Sequence, residues 1–338
     1  MPPNLDDISA AMPISEFDII ERYFKFGSAQ RPDVVLGVGD DAALLAVPPG
    51  WQLAVTTDTL VADVHFPRLA PADSIGHKAL AVNLSDLAAM GANPAWVTLA
   101  LTLDRVSPEW LESYARGFMQ LACSAGVALV GGDLTQGPLS MTVQAMGLVP
   151  PGEALRRDGA RPGDLIYVSG HLGDAALGLR LYREPAQAEN MNHDYLLSRL
   201  HRPTPRIALG SALRGIASAA IDVSDGLLAD LWHICERSQV GASVWVDQLP
   251  RSQAFLNVAG LKETLDLPLS GGDDYELCFT VPRHHQAVLA GIAELAGCQL
   301  TAIGEVSAHP GLHCRYDDGR AYQPANLGYQ HFSGNKPS

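Results

Sequence analysis

The sequence predicts a two-domain α/β protein whose short strands deliver acidic turns to a common site. Three observations carry this expectation. A length of 338 residues suffices for two domains of ordinary size. A hydrophobic share of 47% supports two full cores. Both halves mix strand-like and helix-like segments without a strict short repeat, and each half sets Gly/Asp motifs beside predicted strand ends.

Residues 1–13 read as a loose leader with prolines at 2, 3 and 13. Ile14-Ser15-Glu16-Phe17 predicts a helix with Ser15 as N-cap, ending near Phe26-Gly27. The apolar, β-branched runs 34–38 and 53–57 are predicted strands. From Pro71 to Met90 the pattern becomes helical, with Asp73 or Ser74 as cap, Ile75, Ala79, Leu80, Val82, Leu84, Leu87 and Ala88 as its apolar face, and Gly91 as its stop. A strand over 96–103, a helix over 107–124, a buried strand over 127–130 and a strand over 140–149 follow. Pro150-Pro151-Gly152 and the segment 159–164 mark a junction between an N-terminal domain, 1–150, and a C-terminal domain, 151–338. Beyond it, strands are predicted over 165–169, 219–223, 277–281 and 299–306. Helices are predicted over 173–182, 205–217, 227–237 and 285–296, with an exposed connection over 183–192 and a polar tail from Ser333.

Acids outnumber bases 37 to 23, a formal net charge of −14, which argues against a sequence-independent nucleic-acid binder. A nucleotide substrate stays compatible, because metal ions reverse the local sign at a carboxylate site. Lysine occurs only as Lys25, Lys78, Lys262 and Lys336, and none closes a G-x-x-x-x-G-K-[ST] phosphate loop. The five cysteines (Cys123, Cys235, Cys278, Cys298, Cys314) form no C-x-x-C pair, so neither a zinc site nor a disulfide framework is expected. They read as small buried hydrophobes in a reducing compartment. The N-terminus lacks the pattern of a signal peptide, and no apolar run is long enough for a bilayer. The expectation is a soluble cytoplasmic protein with no membrane or nucleic-acid partner.

Six motifs carry the chemistry: Gly37-Val38-Gly39-Asp40-Asp41, Thr56-Thr57-Asp58-Thr59, Asn83-Leu84-Ser85-Asp86, Gly131-Gly132-Asp133, Asp222-Val223-Ser224-Asp225-Gly226 and Ser270-Gly271-Gly272-Asp273-Asp274. Glycine lets a backbone approach a ligand closely. Gathered carboxylates repel one another unless a hard cation lies between them, and several Mg²⁺ ions with a polyphosphate satisfy that need. Taken singly, each motif has an ordinary reading. A Gly-Asp is a turn or cap, Thr56 and Thr57 suit any strand, His65 is a satisfied histidine, and Arg157 is a solvated charge. Six together in a chain only 18% charged point to a site. Asp86 differs in lying on a helix, where Asn83 shares its face and Ser85 is angled away.

The segments 37–45 (Gly-Val-Gly-Asp-Asp-Ala-Ala-Leu-Leu), 56–61, 78–92, 130–135, 221–227 and 270–277 resemble, in this order, those of thiamine-monophosphate kinases. The resemblance runs from about Glu16 to Phe332. It implies an α/β fold with mixed sheets, of the two-domain aminoimidazole-ribonucleotide-synthetase-like type, with N-terminal domains paired in a homodimer. It further implies transfer of phosphate from ATP to thiamine monophosphate with Mg²⁺. Residue by residue, it implies a metal set of Asp41, Thr56, Thr57, Asp58, Asp86, Asp133, Asp222 and Asp225. Gly132, Asp133, Arg157 and Ser224 become nucleotide contacts, and His65, Asp273 and Tyr329 substrate contacts. Where the family commonly has Gly-Gly-Glu-Asp, this chain has Asp273 in the first acidic place.

The attacking group in such a reaction is an already ionised phosphate oxygen, so neither a general base nor a phospho-enzyme is expected. The nearest alternative is another ATP-using enzyme of the superfamily. Selenophosphate synthetases carry a reactive Cys or selenocysteine and a Lys in a glycine-rich N-terminal segment, whereas residues 1–33 hold no Cys and only Lys25. Hydrogenase-maturation dehydratases end in a functional Cys, and this chain ends Gly334-Asn335-Lys336-Pro337-Ser338. A non-enzymatic acidic metal-binding module lacks its usual EF-hand spacing here.

Overall fold

The computed structural model describes residues 15–25, 27–184, 191–260 and 263–329. Ser15 opens helix α1 (Glu16–Ile19) through a reciprocal capping box with Asp18, and the chain continues as a π turn over Ile20–Phe24. Strands β1 (Val34–Leu36) and β2 (Leu44–Leu45) form an antiparallel ribbon around the first Gly/Asp turn.

A four-stranded sheet follows in the order β3-β6-β4-β5, built from β3 (Gln52–Val61), β4 (Asn93–Leu103), β5 (Ala128–Gln136) and β6 (Ser140–Val149). Only β4 and β5 run parallel. Helices α2 (Ala72–Ala89) and α3 (Pro108–Ser124) cover one face of this sheet. Ser107 caps α3 by accepting from the Trp110 N–H, and Pro108 occupies the first turn, where a missing donor costs nothing. Leu60, Leu80, Leu84, Leu99, Phe118, Met141 and Val143 fill the core between sheet and helices. On β3 the alternate residues face the other way, and Leu53 and Val55 are 45% and 53% exposed there.

The second sheet has seven strands in the order β13-β12-β9-β11-β7-β10-β8. They are β7 (Leu165–Ser169), β8 (Ala219–Asp222), β9 (Gly241–Trp245), β10 (Leu277–Val281), β11 (Leu300–Ser307), β12 (Gly311–Arg315) and β13 (Ala321–Tyr322). The helices of this half are α4 (Asp174–Arg183), α5 (Met191–His201), α6 (Ile207–Ala212), α7 (Leu227–Ser238), α8 (Gln253–Val258), α9 (Glu263–Ser270) and α10 (Leu289–Ala296). One core joins β7, β8 and β9 to α7 through Val168, Ile221, Val244, Leu227 and Leu231. Another joins the sheet to α6 and α10 through Tyr167, Phe279, Leu209 and Leu289, and takes in Ala88 and Ala89 of α2. Helix α2 is therefore wedged between the two halves, with fourteen of its eighteen residues buried. A helix enclosed on all sides must find internal partners for its polar side chains.

Several expectations are corrected. Helix α2 begins with Pro71 at the N-cap, not with Asp73 or Ser74. Asp73 lies in the first turn and accepts from Arg202 at 3.1 Å, while Ser74 is buried. Strands β3 and β5 run well past 57 and 130, so Asp58 and Asp133 lie within strands instead of at their ends. The helix expected over 205–217 shortens to Ile207–Ala212, and that over 285–296 splits into a 3-10 segment, Arg283–Val288, and α10. Within the expected connection over 183–192, residues 185–190 lie outside the described residues, and Met191 already starts α5. The leader over 1–13, Phe26 and the tail from Ser333 also lie outside them.

Candidate active site

Helix α2 builds the site with two of its faces. Toward β3, the Asn83 Oδ1 accepts from the Asp58 N–H at 3.1 Å, and Asp86 Oδ2 accepts from the Thr56 hydroxyl at 2.5 Å. Toward the C-terminal half, the Ser85 hydroxyl donates to Asp222 Oδ2 at 2.8 Å. Residues two and three apart on a helix diverge or align in just this way. Asp222 ends β8, and the turn after it is drawn tight by Asp230 of α7. One Asp230 oxygen accepts from the backbone N–H groups of Ser224, Asp225 and Gly226 at 2.9, 3.1 and 3.2 Å.

The carboxylates so gathered act on one another. Burial and then the neighbouring Asp86 push Asp58 up to about 7, with Asp225 adding to the effect. Burial holds Asp86 above the ordinary carboxylate range, although Thr56, Asp58 and the field of Arg157 oppose it. Asp222 lies well above that range, through burial first and then Asp86. These shifts have the sign expected of acids crowded together in a poorly solvated place. Among the described residues, no three carboxylate, imidazole or thiol groups already enclose a metal position.

Not every expected ligand joins this group. The register Asp58↔Val143, Val143↔Leu99 and Leu99↔Gly132 sets Asp58 and Gly132 on one line across the sheet, at its two edges. Three strand spacings of about 4.8 Å separate them by roughly 14 Å. Side chains on one such line share a face, so Asp133 and Thr57 point to the opposite face from Asp58 and Thr56. Asp133 and Asp41 instead line a separate cavity of about 540 Å³ with Asp40, Gly132, Phe17 and Phe24. Gly132 has no substitute there, because a Cβ would fall on the Leu99 carbonyl of the adjacent strand. Asp41 is exposed in the turn between β1 and β2.

Of the expected nucleotide contacts, Arg157 is exposed and Ser224 lies in the Asp230-held turn. Of the expected substrate contacts, His65 follows β3, and its Nδ1 accepts from the Val61 N–H at 3.0 Å, so the neutral ring carries its proton on Nε2. Tyr329 is 49% exposed and is tied to the Asp225 turn by its N–H on the Asp225 carbonyl at 2.9 Å. Asp273 pairs with Lys78 of α2 at 2.9 Å. Asp230, Lys78 and Tyr275 shape the site but were not singled out from the sequence. The spacing Asp222-x-x-Asp225-x-x-x-x-Asp230 was visible for the first, whereas nothing local marked Lys78.

A buried acidic junction between two α/β halves defines the chain's class. AIR synthase related protein profiles match it, the N-terminal domain over residues 39–149 and the C-terminal domain over 161–317. Over 325 residues the chain is 50% identical to the thiamine-monophosphate kinase of Salmonella typhimurium, covering 95% of this chain and 99% of that one. The crystal structure of thiamine-monophosphate kinase from Stenotrophomonas maltophilia K279a aligns with a TM-score of 0.82 at 52% identity, covering 87% of this chain and 93% of that one. AaThiL complexed with AMPPCP and TMP aligns with a TM-score of 0.75 at 28% identity, covering 94% and 97%. The chain belongs to the thiamine-monophosphate kinase family.

Proposed function

We infer that this chain transfers the γ-phosphoryl group of ATP to the phosphate of thiamine monophosphate, giving thiamine diphosphate and ADP, the last step of thiamine diphosphate biosynthesis. The observation that carries the reading is the meeting of Asp58, Asp86 and Asp222 from β3, α2 and β8. A relative solved with AMPPCP and TMP supports the same pair of substrates. The donor set fits Mg²⁺, since it is all hard oxygen and its mutual repulsion calls for positive charge. Bound there, Mg²⁺ would neutralise donor and acceptor phosphates and hold them in line.

The protein's own groups supply position. Asn83 and Thr56 hold Asp58 and Asp86 in place, and Ser85 fixes Asp222. Asp225 and Ser224 stand on the turn that Asp230 tightens, and Arg157 offers its guanidinium fork to a nucleotide phosphate. Gly132, Asp133 and Asp41, which line the separate cavity, are assigned to the nucleotide, and His65, Asp273 and Tyr329 to the acceptor end, while Thr57, on the opposite face of β3, is left out of the metal set. No side chain removes a proton, because the attacking phosphate oxygen is already ionised.

Incubation with Mg-ATP and thiamine monophosphate, followed by mass spectrometry, should yield thiamine diphosphate and ADP; release of inorganic phosphate alone would overturn the reading. In the same assay His65→Ala should raise KM for thiamine monophosphate about tenfold, with KM for ATP unchanged, through loss of a hydrogen bond of about 1.4 kcal/mol. An equal effect on both substrates would remove His65 from the acceptor end.

The chain is also proposed to act as a cytoplasmic homodimer. Leu53 and Val55 leave an apolar strip on the open face of the four-stranded sheet, beside Thr57 and Thr59, where a second copy can pack. Light scattering should give twice the chain mass, falling to the single mass in Val55→Lys. A monomeric wild-type protein would end that assignment. No helix among the described residues is long and apolar enough to cross a membrane.

A further inference from the structure

Lys78 is one of only four lysines, and its side chain is 3% exposed. A buried ammonium is costly unless an opposite charge meets it. Its Nζ lies 2.9 Å from Asp273 Oδ1 as an ion pair, without the alignment of a hydrogen bond to any described group, and the same oxygen accepts from the Tyr275 hydroxyl at 3.2 Å. Asp273 and Tyr275 both hold left-handed backbone, with φ of 70° and 51°, a conformation that side-chain-bearing residues adopt only when their surroundings impose it. The restraint on one side is backbone: the N–H of Asp273 donates to the Ser224 carbonyl, and that of Tyr275 to the Val223 carbonyl, each at 2.8 Å. The restraint on the other side is Lys78. Seven residues further along α2, on the same face, Ser85 holds Asp222. The helix that carries Asp86 thus grips both acidic turns of the C-terminal half.

We propose that Lys78 is a positioning residue for the acceptor site. Its ion pair locks the strained 273–275 loop onto α2, and Asp273 serves thiamine monophosphate through the shape of that loop. With Oδ1 already shared by an ammonium and a hydroxyl, Asp273 acts as an anchor. The inference rests on the reaction assigned above and adds a determinant of acceptor recognition to it.

Three variants test this: Lys78→Met, which keeps an unbranched apolar stem one atom shorter and loses the charge, Asp273→Asn, which keeps shape, and the two combined. Each single variant should raise KM for thiamine monophosphate about tenfold and leave KM for ATP within about twofold. The double variant should be no worse than the worse single one, because both act through one contact. Additive losses, or equal rises in both KM values, would overturn the proposal. So would an unchanged acceptor KM in a variant that melts like the wild type. Should Lys78→Met not fold, Asp273→Asn and Tyr275→Phe carry the test, with Tyr275→Phe shifting the acceptor KM in the same direction by a smaller factor. A wild-type protein that makes no thiamine diphosphate would sink the assigned reaction itself. Normal wild-type turnover beside unaffected variants would sink only the latch.

Discussion

Asp86→Asn is expected to lower kcat by about 10³-fold or more while raising the melting temperature of the metal-free protein. A thousandfold loss corresponds to about 4 kcal/mol of transition-state stabilisation, within what a misplaced metal and its phosphates can cost. The gain in stability has a separate origin. Asp86 lies beside Asp58 and raises it, and it raises Asp222 as well. Removing its charge relieves both neighbours, and the amide still accepts from the Thr56 hydroxyl through its carbonyl oxygen. The same logic sets the pH dependence. Asp58 keeps its proton up to about 7 in the folded chain, whereas the unfolded chain releases it near the ordinary carboxylate value. The unfolded state therefore binds fewer protons between roughly pH 4 and 7, and stability falls as pH rises through that window. Mg²⁺ should reverse the fall, stabilising the wild type more at pH 8 than at pH 5. In Asp86→Asn both the pH slope and the Mg²⁺ response should shrink. Thermal melts at the two pH values, with and without Mg²⁺, check this beside single-turnover kinetics. Near-normal turnover at ordinary Mg²⁺ would remove Asp86 from the metal site.

How far the site could be read from the sequence depended on which residues carry it. Asp222 was placed correctly at a strand end, since the short run 219–223 has turn signals after it and β8 ends at Asp222. Asp58 was not, because pairing with β6 carries β3 on to Val61, and Asp133 was not, because Gly131-Gly132 reads locally as a break. Pairing with β4 overrides that signal and carries β5 on to Gln136. The grouping of Thr56, Thr57 and Asp58 as one ligand set overlooked the two-residue period of a strand, which sends Thr57 to the opposite face from its neighbours. Helix α2 was legible from its apolar positions. Its enclosure was not, and so the buried polar residues Lys78 and Ser85, whose partners lie 195 and 137 positions away, gave no local sign of their roles. Helix α5 escaped because Met191–His201 follows a polar stretch without a cap signal. Strands β12 and β13 escaped because their short, half-exposed sequences lack alternation.

Gly117→Ala should destabilise the fold by about 3 kcal/mol, although helix propensity alone favours Ala over Gly by about 1 kcal/mol. Helices α2 and α3 approach closely through Gly76 and Gly117. A Cβ on Gly117 would fall on the Asp73 backbone carbonyl, and one on Gly76 on the Tyr114 carbonyl. Backbone cannot swing aside as a side chain can, so the helices would have to separate. Helix α2 holds Asp58, Asp86, Asp222 and Asp273 through its two working faces, and a shift of the whole helix moves all four together. Turnover per folded molecule should therefore fall with stability, which a defect confined to packing beyond α2 would not produce. Gly291→Ala in α10 supplies the contrast, since a Cβ there meets nothing within 4 Å and the backbone carries no positive φ. That variant should be neutral or more stable by up to about 1 kcal/mol, with unchanged kinetics. Urea unfolding of the two variants separates propensity from packing: equal midpoints would mean that α2 and α3 do not meet at their glycines, and the placement of the acidic cluster by that crossing would fall with them.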